Sequence, residues 1–193
     1  YEGTHCMSSF SYYNETNTAL TPDNWLISPA FTAGSTVTFW YAGQDPNYAA
    51  ETFGVYVIAN GTTSDELGYF TASNTYQQGS VDISDFAGQT VQVAFRHYDI
   101  TDMFRLNLDL VEVSGGGSTP NTPVPPTENP VTPEPGTVTG WGFETDPFAE
   151  GWTIRDDDGD GYNWEWMDAS DSDYNVYEGT HCMASASYQN SAF

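Results

Sequence analysis

Tyr1-Glu2-Gly3-Thr4-His5-Cys6-Met7 opens the chain and returns as Tyr177-Glu178-Gly179-Thr180-His181-Cys182-Met183. Beyond it, Ser9, Ser11, Tyr12 and Asn14 recur as Ser185, Ser187, Tyr188 and Asn190. The offset from residue 1 to residue 177 is 176 residues, nearly the length of the 193-residue chain. A repeat of this size is a repeated domain, and overlooking one mis-assigns the fold. Low-complexity coincidence does not account for it, because the segment is varied and includes rare His and Cys. Cys6 and Cys182 therefore occupy one position counted twice. One folded module has a single slot for that strand, and a buried free thiol is favoured there over an inter-module disulfide.

From the first copy outward, residues 1–113 read as β-structure. Thr36–Tyr41, Phe53–Ile58 and Val91–Arg96 are short, β-branched and aromatic, and each is bounded by Gly, Pro, Asn or Asp. Arg105–Val113 alternates, with apolar residues at 106, 108, 110 and then 111 or 113. That pattern predicts a half-buried strand carrying a bulge. Turn clusters at Asn60-Gly61 and Ser84-Asp85 separate the runs, and no segment keeps a helical period. Phe39, Trp40, Phe53, Phe95 and Trp152 fit inward-facing core positions.

Residues 114–137 change character: Gly115-Gly116-Gly117 leads into a stretch rich in Pro, Thr and Ser. Such a segment buries no core and reads as an extended tether reaching ~70 Å at ~3.1 Å per residue. Residues 138–193 then begin a new module and end in the second copy of the strand. The chain thus holds the back part of one module (1–113), a linker (114–137) and the front part of the next (138–193). A complete module of roughly 150 residues suits one sandwich core. The fold expected is all-β, a jelly-roll-like β-sandwich completed across repeats or neighbouring copies.

Charge narrows the function. Asp and Glu number 27 against three positive side chains, Arg96, Arg105 and Arg155, for a net charge of -24. Nucleic-acid backbones and anionic membranes want clustered Lys and Arg, so both are excluded as partners. Disorder, the other reading of high charge, conflicts with 16% aromatic content. No apolar run is long enough for a membrane helix, and no secretory leader is present, as expected of a mature or excised segment. Packed carboxylates suit a secreted protein in a medium where divalent cations neutralise them.

Several motifs together resemble the cleaved-adhesin, or choice-of-anchor J, family of secreted bacterial jelly-roll modules, such as those in the adhesin regions of gingipain proteases. They are Phe143-Glu144, Gly151-Trp152, Asp156-Asp157-Asp158-Gly159-Asp160-Gly161 and Trp164; Ser9-Phe10-Ser11 and Thr21-Pro22-Asp23-Asn24-Trp25-Leu26-Ile27-Ser28-Pro29; and Val93-Ala94-Phe95-Arg96-His97-Tyr98 with Leu106–Val111. The resemblance covers everything but the linker, in permuted order. It departs where Leu110 replaces the second Asp of a final pair, weakening the transfer of metal ligands there, and where Cys6 replaces a small apolar residue.

Asp156, Asp158 and Asp160 with Gly161 match the first half of a calcium loop. Met167 at the twelfth position excludes an EF-hand. The resemblance implies that Glu144 and Asp109 approach one edge and complete a Ca2+ shell; the competing reading is a solvated acidic turn. Trp25, Tyr48, Trp164 and Trp166 lie near loops and are candidate sugar-stacking residues, with core packing as the competing reading. Asn14 and Asn60 head glycosylation sequons. Tyr1, Cys6, Tyr177 and Cys182 mark the assembly strand. Arg96-His97-Tyr98 reads as packing and ion pairing, and no nucleophile or zinc-ligand spacing supports an enzyme. The function expected is an extracellular structural and adhesive repeat, partnered by copies of itself in a tandem array or a strand-complemented filament. The alternative is a carbohydrate- or protein-binding accessory domain of a secreted protease, with glycans as partners.

Overall fold

A computed structural model describes residues 1, 3–115 and 139–168. It contains fifteen strands among these: β1 His5–Phe10, β2 Tyr12–Tyr13, β3 Thr18–Ala19, β4 Asn24–Ile27, β5 Phe31–Thr32, β6 Thr36–Gly43, β7 Thr52–Ala59, β8 Thr62–Thr63, β9 Gly68–Thr71, β10 Gln77–Asp82, β11 Thr90–His97, β12 Arg105–Ser114, β13 Thr139–Trp141, β14 Thr153–Asp156 and β15 Glu165–Asp168. One sheet runs β10-β6-β12-β1-β15, with β13 also on β12. The other runs β14-β4-β11-β7-β8, with β5 on β11 and β9 on β7.

The sheets enclose a single main core. Val37, Phe39 and Tyr41 of β6 face Phe53, Val55 and Val57 of β7 and Val91, Val93 and Phe95 of β11, every one buried. Phe39 touches Phe53, Phe70 and Phe95 edge-on, with centroids 5.1–5.9 Å apart, the geometry that ring quadrupoles favour. Trp40 is a correction. Strand alternation sends it outward between Phe39 and Tyr41, where its indole stacks on Tyr1 at 3.6 Å.

The alternation of β12 resolves into a bulge. Leu106 and Leu108 are fully buried, the register against β6 shifts between Asp109 and Glu112, and Leu110 takes a φ of 41°. The extra residue moves the inward phase from even to odd numbers, so Val111 and Val113 continue the core. Asn60 (φ 51°) and Gly61 (φ 76°) form the two-residue turn joining β7 to β8, both left-handed as a type I′ hairpin requires.

The segment after the linker packs into this sandwich. It supplies an edge strand to each sheet: β15 beside β1 and β14 beside β4. Phe143, Trp152 and Trp164, each 1–2% exposed, pass from it into the core. The first copy of the repeated strand sits in the interior of its sheet, between β12 and β15. The second copy, with Tyr177 and Cys182, lies outside the described residues.

Candidate functional site

The slot of the repeated strand is the most elaborate feature of the fold. Residues on alternate sides of β1 meet different surroundings. Met7 enters the main core and Ser9 is fully buried with it. Ser9 Oγ lies 2.8 Å from His97 Nδ1, and His97 Nε2 lies 3.0 Å from Glu51 Oε2. The other Glu51 oxygen accepts bonds from Ser11 Oγ and the Phe104 N–H, both at 2.7 Å. Ser9, His97 and Glu51 are all 0% exposed, so the series ties β1 of one sheet to β11 of the other. A serine, histidine and acid in sequence resembles a hydrolytic triad in order alone. Sealed in the core, Ser9 meets no substrate carbonyl.

On the opposite side, Ser8 Oγ donates to Asn107 Oδ1 at 2.9 Å, and the Arg105 guanidinium lies 4.1 Å from the Phe10 ring centroid. Cys6 is buried too, and burial followed by the nearby Asp109 carboxylate pushes its thiol up to about 12. A thiol so held stays protonated and unreactive at neutral pH. At the strand's entry, Gly3 adopts φ 75°, and a Cβ there would overlap the Glu144 carboxylate. Glu144 caps the strand by accepting the Thr4 and His5 N–H groups at 2.8 and 2.9 Å. Burial opposes its ionisation, yet these donors outweigh burial and lower its pKa.

The acidic loop follows β14. Gly159 (φ 70°) and Gly161 (φ 85°) turn it back on itself. Asp156 accepts from the Gly159 and Gly161 N–H groups, Asp158 from the Asp160 and Asp23 N–H groups, and Asp160 from the Tyr162 N–H. One carboxylate oxygen from each of the three aspartates falls within 4.8 Å of the others. A hydrogen bond from Asp158 lowers the Asp156 pKa, whereas burial and then Asp156 raise that of Asp158. Arg96 grips Asp23 through both Nε and a terminal nitrogen at 2.6 Å, anchoring the β4 side of the loop.

The five metal-ligand candidates therefore divide. Asp156, Asp158 and Asp160 converge, while Glu144 and Asp109 do not join them. Asp109 is fully buried on β12, bonded to the Leu110 N–H and the Tyr1 amino group. Burial corrects two of the sugar-stacking candidates. Trp25 is 5% and Trp164 2% exposed, and Trp164 Nε1 donates to the Asn24 carbonyl at 3.0 Å. Trp166 stacks on His5 at 4.7 Å and donates to the Phe143 carbonyl. Trp25 lies beneath Arg155 and Arg96, 4.3 and 5.1 Å from its ring. Asn14 and Asn60 are both exposed. Glu51 was absent from the sequence reading, which named Ser9, Ser11 and His97 without joining them. Ser9 and Ser11 were the available signal, two polar residues on a strand face that also carries Met7.

The cleaved adhesin domain family matches residues 1–72, 68–113 and 137–193. Lys-gingipain of Porphyromonas gingivalis is 32% identical over 217 residues, covering 100% of this chain and 11% of its own length. Hemagglutinin A of the same organism is 31% identical over 214 residues, covering 97% of this chain and 7% of its own length. The chain thus spans about a tenth of the length of the curated relatives it matches. Among solved structures, the K1 cleaved adhesin domain of Lys-gingipain from P. gingivalis W83 is 36% identical with a TM-score of 0.53, covering 58% of this chain and 75% of that one. The K2 domain is 26% identical with a TM-score of 0.52, covering 60% and 74%.

Proposed function

The chain belongs to the cleaved-adhesin family, and from that premise we propose that it serves as an extracellular adhesive module joined head to tail with others like it. In this reading the segment that follows each linker completes a sandwich through the repeated strand, and the Pro- and Thr-rich linkers space the sandwiches. The observation that carries it is the slot between β12 and β15, which accepts a strand that the chain encodes twice. The residues that face inward from that slot, Met7, Ser9 and Ser11, recur as Met183, Ser185 and Ser187. Either copy therefore offers the same hydroxyl to His97 and the same thioether to the core. The other side differs, with Ala184 and Ala186 in place of Ser8 and Phe10.

A chain lacking residues 1–10 tests this interchange. It is expected to unfold cooperatively still, weakened by about 3–5 kcal/mol, chiefly because Ala186 takes the place of the buried Phe10. Adding Met183→Asp to that deletion is expected to abolish folding. A deletion variant with no cooperative transition, followed by circular dichroism against urea, would contradict the reading.

The same proposal includes a structural Ca2+ held by Asp156, Asp158 and Asp160, supported by the convergence of their oxygens. At a hundredfold excess over its dissociation constant, a native-state ligand stabilises by about 2.7 kcal/mol. Calcium is therefore expected to raise the Tm by about 5–10 °C for a domain this size. Asp158→Asn is expected to remove the response in calorimetry with and without chelator. An unchanged Tm in the parent protein would dismiss the ion.

A further inference from the structure

Three loops at one end of the sandwich form a cleft of about 290 Å³ that the acidic loop does not use. Tyr12, Tyr48 and Phe104 provide aromatic surface, Asp45 and Asp102 provide carboxylates, and Asn14 stands at the rim. No Lys, Arg or His lines it. The loops are fixed to one another by backbone bonds. The Ser11 and Tyr12 N–H groups donate to the Phe104 carbonyl, the Asp102 N–H to the Ser11 carbonyl, and the Gln44 N–H to the Arg105 carbonyl, at 3.0–3.3 Å. Asp45 Oδ1 accepts the Asn47 and Tyr48 N–H groups at 2.7 and 3.0 Å, setting the tyrosine on a closed turn. Among the described residues, no hydrogen bond engages Asp45 Oδ2 or either Asp102 oxygen. Tyr48 is 53% exposed although it is a large aromatic.

We propose that this cleft binds a cationic side chain of a partner protein, a guanidinium or ammonium group on an apolar stem, between Tyr12 and Tyr48 with Asp45 and Asp102 as counter-ions. Aromatic faces attract cations through the ring quadrupole. The two carboxylates decide between ligand classes. A neutral sugar would cover both without compensating their charge, and covering an unpaired charge is costly. A cation compensates that charge while the apolar stem rests on the rings. The net charge of -24 steers basic surfaces toward the module from beyond contact distance. Tyr12 and Asn14 belong to the repeated segment and recur as Tyr188 and Asn190, so the chain encodes the same two residues with either copy.

The test titrates the full chain with N-acetyl-arginine amide, N-acetyl-lysine amide and a neutral methyl hexoside, following backbone amide resonances. The cationic probes are expected to shift the amides of residues 45–48 and 102–104, with dissociation constants on the order of 1 mM. Tyr48→Ala and Asp102→Asn are each expected to weaken binding about tenfold, while Asp65→Asn, an exposed acid elsewhere, leaves it unchanged. Equal weakening by Asp65→Asn would reduce the effect to long-range attraction and overturn the site. So would a hexoside that shifts these amides when the cations do not.

Discussion

Replacing Glu51 by alanine is expected to destabilise the protein by about 3–5 kcal/mol, a large part of the 5–15 kcal/mol available to a typical domain. The carboxylate is fully buried and takes up His97 Nε2, Ser11 Oγ and the Phe104 N–H at once. Its removal strands three polar groups where water does not reach, and each buried group left unpaired costs about 1–3 kcal/mol. Glu51→Gln keeps the volume and one acceptor oxygen, so a smaller loss is expected. Urea denaturation of the two variants beside the parent, read from midpoint and slope together, separates them. Equal stability of all three would mean that the network does not hold the sheets together.

The second large effect is expected at Trp164, where substitution by alanine should cost about 3–5 kcal/mol. The indole is 2% exposed, donates to the Asn24 carbonyl and lies 6.3 Å from the His97 ring. It is one of three aromatic groups that the post-linker segment places in the core. The damage is therefore expected to be local first. Amide exchange should accelerate in β14 and β15 before it does in β7 and β11, because edge strands held by few core side chains open at lower free energy. Uniform acceleration would show that the segment and the remainder unfold as one unit.

Much of this architecture was legible in the residues, for reasons that can be named. β-Branched and aromatic residues bounded by turn formers marked β6, β7 and β11, period-two alternation marked β12, and Asn60-Gly61 marked a turn because such residues tolerate positive φ. The doubled apolar positions near Leu110 and Val111 foretold the bulge. Trp40 was misplaced since aromaticity suggested burial while its phase between Phe39 and Tyr41 dictated exposure. Trp25 and Trp164 were read as loop aromatics open to sugars, but each lies at a strand end that the opposing segment covers, and that packing is nonlocal. The acidic loop was recognisable because its ligands are local in sequence. Glu144 and Asp109 were joined to it only by family resemblance, and here they serve the entry to β1 and the bulge of β12. Glu51 escaped notice because nothing in a loop sequence records that a histidine forty-six residues away needs an acceptor.

The segment after the linker is proposed to close the sandwich, with the repeated strand as the seam. Cutting the linker within residues 116–138, then mixing cut unlabelled and cut 15N-labelled protein, tests that closure by native mass spectrometry. The expected result is a one-to-one complex of the two halves, with hybrid light–heavy complexes appearing as halves exchange between molecules. Halves that separate, with residues 1–115 unfolding as cooperatively alone as in the intact chain, would contradict it.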